Sequence, residues 1–133
     1  LVPGGRKCYC GKKGCADAYC AASVLTGEAF DNVEQFLNQV EQKESKLQNQ
    51  WDAYLDNLAI LITNLRMAYD MDVILGGEVG GCLENDMILL GEKVMRYNGF
   101  DRDVRYLSTC SYKKEASAVG VAKHFLTEFI KTI

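Results

Sequence analysis

The clearest periodic signal in the chain lies between Leu47 and Leu65. Leu47, Trp51, Tyr54, Leu58, Leu61 and Leu65 are spaced alternately by four and three, and Leu55 and Ile62 widen the stripe. This spacing predicts a long amphipathic helix. The stripe spans fewer than three heptads, so packing against the chain's own core is favoured over a coiled-coil partner. Upstream, Asp31 or Asn32 can cap a second helix whose Val33, Phe36, Leu37 and Val40 follow the i, i+3, i+4, i+7 rule, with the polar stretch from Glu41 to Lys46 leading out. From Ala16 to Leu25 the residues are small and apolar, with Asp17 in the first turn and Gly27 just beyond, which predicts one short helix.

Downstream the period changes. Asp70-Met71-Asp72 ends the long helix, and the branched run Val73-Ile74-Leu75 before Gly76-Gly77 predicts a fully buried strand entering a tight loop. Gly80-Gly81 then open a helix with Leu83, Met87, Leu90 and Val94 on one face and Asn98-Gly99 as its stop. Val104 to Ser108 is a second strand. Lys113-Lys114-Glu115 precede a last helix that turns Val119, Ala122, Phe125, Leu126, Phe129 and Ile130 inward, with Gly120 permitting a close approach. The order helix, strand, helix, strand, helix is α/β logic with a large helical share. Two strands make a poor sheet alone, which leads us to expect further strands upstream.

Residues 1–15 read differently. They hold Gly4, Gly5, Gly11 and Gly14, the only proline and Cys8, Cys10 and Cys15, a loop composition suited to a compact knuckle. The expected organisation is one domain over 1–133, with a knuckle at 1–15 and a helical α/β body at 16–133. Leu1-Val2-Pro3-Gly4-Gly5 carries no initiator Met, as expected of a piece of a longer protein.

Composition narrows the function. With 133 residues, 48% hydrophobic and 25% charged, the chain has the make-up of one globular domain. A domain of this size removes roughly two-thirds of its unfolded surface from water, so it needs no disulfide staples. Six cysteines therefore call for another explanation. Fifteen Lys and Arg against eighteen Asp and Glu are interspersed without a basic stripe, which argues against direct nucleic-acid contact by this chain. The longest apolar runs, Leu58 to Ile62 and Met87 to Leu90, are far below the ~18 residues of a membrane span, and no signal peptide opens the chain. A cytoplasmic protein with no membrane partner is expected.

Cys8-Tyr9-Cys10-Gly11-Lys12-Lys13-Gly14-Cys15 places three thiols within eight residues, with glycines that let the backbone fold back. Converging thiols in a reducing compartment favour tetrahedral zinc over disulfides. The competing reading is unconnected or disulfide-bonded thiols, although Cys8 and Cys10 are too close in sequence to pair without strain. The one histidine, His124, sits among apolar Val121, Phe125 and Leu126 and reads as surface or core filler rather than a fourth ligand. Cys20 is expected to pack within its helix, and Cys82 and Cys110 to be small buried residues. Taken alone, Asp17 complements its own helix N-terminus.

The segment Cys8-x-Cys10-Gly11-x-x-Gly14-Cys15-x-Asp17-x-Tyr19 resembles the zinc signature CxCGxxGCxE of the ROK family, the sugar kinases and sugar-responsive transcriptional repressors that share an actin-like (ribonuclease H-like) fold. Val73-Ile74-Leu75-Gly76-Gly77 resembles the family's strand and glycine pair beside the nucleotide site, and Ala116-Ser117-Ala118-Val119-Gly120-Val121-Ala122 its final-helix signature. The resemblance covers the whole chain and implies the C-terminal part of such a protein. It implies zinc on Cys8, Cys10 and Cys15 with a histidine upstream of Leu1 as fourth ligand, a sugar contact at Asp17, nucleotide contacts at Gly76 and Gly77, and a homodimer. The catalytic aspartate, the phosphate motif and the winged-helix DNA reader would lie upstream, so no catalytic residue is expected here.

Two parents are compatible: a sugar-sensing repressor, or a kinase using ATP and magnesium to phosphorylate a hexose or amino sugar. Asp17 and Cys20 stand where the family commonly has Glu and Ser, and these departures favour the repressor. An independent zinc module for protein contacts is a third reading, disfavoured by the size and patterning of the body. As a fragment, the chain is expected to self-associate through the Leu47–Leu65 face or through surface left by missing strands. It is also expected to hold zinc more weakly than its parent, with water or a neighbouring group as fourth ligand.

Overall fold

The computed structural model describes residues 1–42, 44–112 and 115–132. Its elements run α1 (Asp17–Cys20), α2 (Ser23–Thr26), α3 (Val33–Glu41), α4 (Ser45–Tyr69), β1 (Val73–Leu75), α5 (Gly77–Gly80), a 3₁₀ turn (Glu84–Asp86), α6 (Met87–Tyr97), β2 (Leu107–Thr109) and α7 (Ala116–Lys131). The architecture is helix-rich α/β. β1 and β2 pair in parallel with Val73 opposite Leu107 and Leu75 opposite Thr109, and α5, the 3₁₀ turn and α6 form the crossover between them.

The stripe that predicts α4 supplies the core. Trp51, Tyr54, Leu55, Leu58, Ala59 and Ile62 are buried against α3 on one side and α6 on the other, where Phe36, Leu90 and Val94 are fully buried. Phe30 meets Phe36 edge-on, and Trp51 stacks on Tyr54 with ring centroids 5.6 Å apart. The Leu47–Leu65 face is thus largely spent within the chain, and only its end, at Leu65, is exposed. This corrects the expectation that the face drives self-association.

Tertiary contacts reshape the ends of the elements. The stretch from Ala16 to Leu25 forms two short helices instead of one, because Ala21 adopts an extended ψ of 152°. Side chains of α4 then satisfy the freed carbonyls: the Tyr54 hydroxyl donates to the Cys20 carbonyl at 2.7 Å and the Gln50 amide donates to Val24 at 3.0 Å. Asn32, not Asp31, caps α3, its Oδ1 accepting from the Gln35 N–H at 2.9 Å. A second orphan donor, the Val33 N–H, finds Glu78 Oε1 at 2.7 Å, from a residue far along the chain. Asp70 ends α4 in the left-handed region at φ 49°, its N–H bonded to the Arg66 carbonyl.

Gly80 ends the short α5 and Gly81 follows it before the 3₁₀ turn, and α6 begins later, at Met87. Gly80 is there for space: a Cβ would run into the Leu75 carbonyl. β2 also starts later than Val104, because the Leu107 N–H closes a turn on the Val104 carbonyl at 2.9 Å. β1 is not fully buried. Val73 and Leu75 face the core, whereas Ile74 points the other way and is 65% exposed, since helices cover only one face of the two-stranded sheet.

The last helix forms as expected, but most of its stripe is not inward: Phe125, Leu126, Phe129 and Ile130 are all more than half exposed and Ala122 is exposed, while Val119 is partly buried. The His124 ring meets Phe125 edge-on, with centroids 5.8 Å apart. Lys113 and Lys114, expected to precede this helix, lie outside the described residues.

Two polar clusters tie α4 to α6 and to the segment between α6 and β2. Lys93 is buried on α6 with its ammonium 2.8 Å from both Asp52 and Asp56. Burial alone would lower the Lys93 pKa, but the two carboxylates outweigh it and the pKa is raised. The buried Asn98 amide donates to Asp101 and to the Tyr106 hydroxyl, while its Oδ1 accepts the Phe100 and Asp101 N–H groups. Arg66 completes this second cluster, forked onto Asp101 and lying 4.6 Å over the Tyr106 ring.

Candidate functional site

The knuckle is built by backbone hydrogen bonds, with little apolar burial. The Cys8 N–H donates to the Lys12 carbonyl at 2.8 Å and the Gly11 N–H returns to the Cys8 carbonyl at 3.0 Å, while Lys7 and Lys13 form an antiparallel bridge. Gly11 and Gly14 hold φ of 85° and 80°, values a side chain resists, and a Cβ at Gly14 would run into the Val2 carbonyl. Tyr19 is buried beneath the loop. Its hydroxyl accepts the Arg6 N–H at 2.8 Å, and the Arg6 guanidinium lies 4.8 Å over its ring.

This turn brings all three predicted sulfurs together. The Sγ atoms of Cys8, Cys10 and Cys15 lie within 4.8 Å of one another, with Cys8 buried, Cys15 partly buried and Cys10 exposed. Cys10 and Cys15 are closest, at 3.6 Å. Tetrahedral zinc–thiolate bonds of about 2.3 Å put neighbouring sulfurs about 3.8 Å apart, so both the spacing and the soft donor set suit that ion. The electrostatics point the same way. The Lys12 backbone N–H, helped by the Cys8 and Cys15 thiols, lowers the pKa of Cys10, while donation to Cys10 together with burial pushes Cys15 up to about 11. This cluster could hold a metal ion.

The other cysteines stand apart from it. Burial pushes Cys20 up to about 11 at the end of α1. Cys82 is partly buried against the core, and the Cys110 N–H extends the sheet by donating to the Leu75 carbonyl at 2.8 Å. His124 is exposed on α7 against Phe125.

Asp17 is exposed in the first turn of α1, and Tyr9, a residue the sequence reading passed over, donates its hydroxyl to Asp17 Oδ2 at 3.1 Å. The carboxylate in turn raises the pKa of the Tyr9 hydroxyl. The knuckle thus carries a carboxylate with one hydrogen-bond partner and room for another.

Gly76 and Gly77 sit at the carboxyl end of β1, where open α/β sheets bind ligands. Gly77 has φ of 68°, and Gly76 is close enough to Cys110 that a Cβ would touch it. A cleft of about 440 Å³, lined from Glu78 onward but not by these two glycines, opens between α3, α4 and the turn after α5. Glu34, Glu41, Glu78, Glu84 and Asp86 line it together with Trp51, and among the described residues no lysine or arginine does. Burial, with Glu41 adding to it, raises the Asp86 pKa. These acidic residues were missed in sequence because they are scattered over fifty positions and carry no spacing.

Compared with known proteins, the chain matches the ROK family over residues 1–128. It belongs to that family. The crystal structure of a ROK hexokinase from Thermus thermophilus superposes with a TM-score of 0.73 at 25% identity, over 90% of this chain and 43% of that one. This ROK chain therefore spans less than half the length of the hexokinase it resembles, and shares the fold of that part. No curated protein matches it. Among the described residues, no helix of the ROK chain is long and apolar enough to cross a membrane.

Proposed function

We propose that the chain is the sugar-sensing effector lobe of a ROK-family transcriptional repressor. In this reading Cys8, Cys10 and Cys15 hold zinc, which when bound pins the loop that presents Asp17. Asp17 accepts a hydrogen bond from a sugar hydroxyl while Tyr9 fixes its orientation. The lobe itself would act as a binding unit without chemistry, in a homodimer whose two halves shift a DNA-reading domain elsewhere in the protein. Residues 1–133 would form one domain in a cytoplasmic regulator.

The observation that supports this reading over phosphoryl transfer is the acidic cleft whose wall begins at Glu78, the residue after Gly77. A nucleoside triphosphate brings three to four negative charges, and five carboxylates without a lining cation repel it. A neutral sugar meets no such penalty.

The second reading is the C-terminal lobe of an ATP-dependent sugar kinase, favoured by the likeness to a ROK hexokinase. There Gly76 and Gly77 would let the adenosine end approach the backbone, and magnesium would offset part of the acidic field. Trp51 is the only tryptophan and lines the cleft, so its emission reports occupancy. Titration with Mg·ATP to about 1 mM is expected to leave Trp51 emission unchanged, whereas calorimetry with hexoses and N-acetylated amino sugars shows saturable binding. A saturable Trp51 response to Mg·ATP would move the assignment to the kinase.

A further inference from the structure

The three sulfurs of the knuckle are not equivalent. Cys8 is only 5% exposed, Cys15 is partly buried, and Cys10 lies open to solvent 3.6 Å from the Cys15 sulfur. Between the close pair, Gly11 and Gly14 carry the backbone through two left-handed turns that bring the sulfurs together without help from packed side chains. Cys8 and Cys10 share the loop but are separated by one residue, a spacing that strains a disulfide.

We propose that Cys10 and Cys15 are an oxidation-sensitive pair, which hydrogen peroxide closes into a disulfide that removes two of the three donors from the metal centre. Cys10 is the entry point because it is the sulfur that solvent reaches. Its sulfur attacks one peroxide oxygen, the O–O bond breaks, and Cys10 becomes a sulfenic acid with release of one water. The Cys15 sulfur then attacks the Cys10 sulfur. The S–O bond breaks, and the leaving hydroxide takes the Cys15 proton as a second water. Two thiols are oxidised by two electrons and one peroxide is reduced to two waters. Disulfide and metal use the same sulfurs, so each excludes the other. Asp17 lies two residues beyond Cys15, so closure also moves the carboxylate assigned to the sugar, a consequence that rests on the function proposed above.

The protease sites separate the possible pairings. Trypsin cuts after Lys7, Lys12 and Lys13, leaving Cys8 and Cys10 on peptide 8–12 and Cys15 and Cys20 on peptide 14–43. The reduced protein, metal-free or zinc-loaded, is treated with peroxide, blocked with iodoacetamide, digested and analysed by mass spectrometry. The expected result is that peptide 8–12 linked to 14–43 becomes the main product of the metal-free protein, and that zinc slows its appearance about tenfold or more. The link persists in Cys8→Ser and is lost in Cys10→Ser and Cys15→Ser. Fragmentation of the wild-type linked peptide assigns the joined sulfurs even if a variant does not fold. A disulfide within either peptide, a Cys8–Cys15 link, or a sulfinic acid at Cys10 with Cys15 still alkylated would overturn the proposal. So would equal rates with and without zinc. The link is read with no sugar present, so failure of sugar binding and failure of the pair are separate results.

Discussion

The knuckle and the helical body are ordered by different forces. Around α4 the body buries Phe36, Leu55, Ile62, Leu90 and Val94 completely, so its shape follows from apolar area removed from water. Within residues 1–15 the one buried side chain from the hydrophobic class is Cys8, and the loop stands on glycine conformations, backbone hydrogen bonds and three converging thiols. A region held by burial tolerates many surface changes and fails when a cavity opens. A region held by local geometry and a shared ligand fails when one backbone angle or one donor is lost.

The largest effect should come from the body. Phe36→Ala removes a ring packed on Phe30 and Trp51 and is expected to cost about 3–5 kcal/mol in urea denaturation followed by Trp51 emission. The zinc stoichiometry of the molecules that remain folded should not change. Loss of metal in step with this destabilisation would show that the two regions are one cooperative unit.

Next is the ion cluster. Replacing both Asp52 and Asp56 by Asn leaves the buried Lys93 ammonium without a partner and should cost about 3 kcal/mol near neutral pH. Lys93→Met should cost less, because the two carboxylates it frees are partly exposed and can be hydrated. The sign of the pH dependence follows from the raised Lys93 pKa. The stabilisation is fully present below the unfolded value of about 10.4 and is lost as pH rises through the folded value. A denaturation series at alkaline pH should show this loss in the wild type and not in Lys93→Met.

In the knuckle, Gly14→Ala forces a left-handed angle on a side chain that also meets the Val2 carbonyl, a local strain of about 1–3 kcal/mol. Its signature should be faster thiol labelling at Cys8, Cys10 and Cys15 with an unchanged Trp51 transition. A shifted Trp51 transition would mean that the knuckle supports the body after all.

Two smaller effects sharpen the contrast. Asp101 has its pKa lowered by Arg66 and Asn98, so its contribution is present above the ordinary carboxylate range and is lost as pH falls through the folded value. Asp101→Asn should flatten the acid limb of the stability curve. Tyr9→Phe should leave stability alone and weaken sugar binding a few-fold, the small effect of one exposed hydrogen bond, as read by calorimetry.

Local chemistry was legible in the sequence. The four-three spacing from Leu47 to Leu65 identifies α4, Val33 to Val40 marks α3, and the cysteine and glycine spacing of residues 8–15 brings the three sulfurs together, because each signal is carried within a few turns of chain. The resemblance on residues 8–19, 73–77 and 116–122 pointed to the ROK family, which the match over 1–128 establishes. Element ends were less legible. The break at Ala21 depends on Tyr54 and Gln50 reaching from α4, and the late start of α6 on Gly80 lying against the Leu75 carbonyl.

What the sequence determined by itself is therefore the set of elements and the donor atoms of the knuckle, since periodicity and close spacing are local properties. Only the tertiary structure decided that Glu78 caps α3, that five scattered carboxylates share one cleft, that Tyr9 holds Asp17, and that the apolar stripe of α7 stays exposed. Each of these depends on which surfaces meet across the chain, and a hydrophobic pattern specifies that a face wants cover without specifying what covers it.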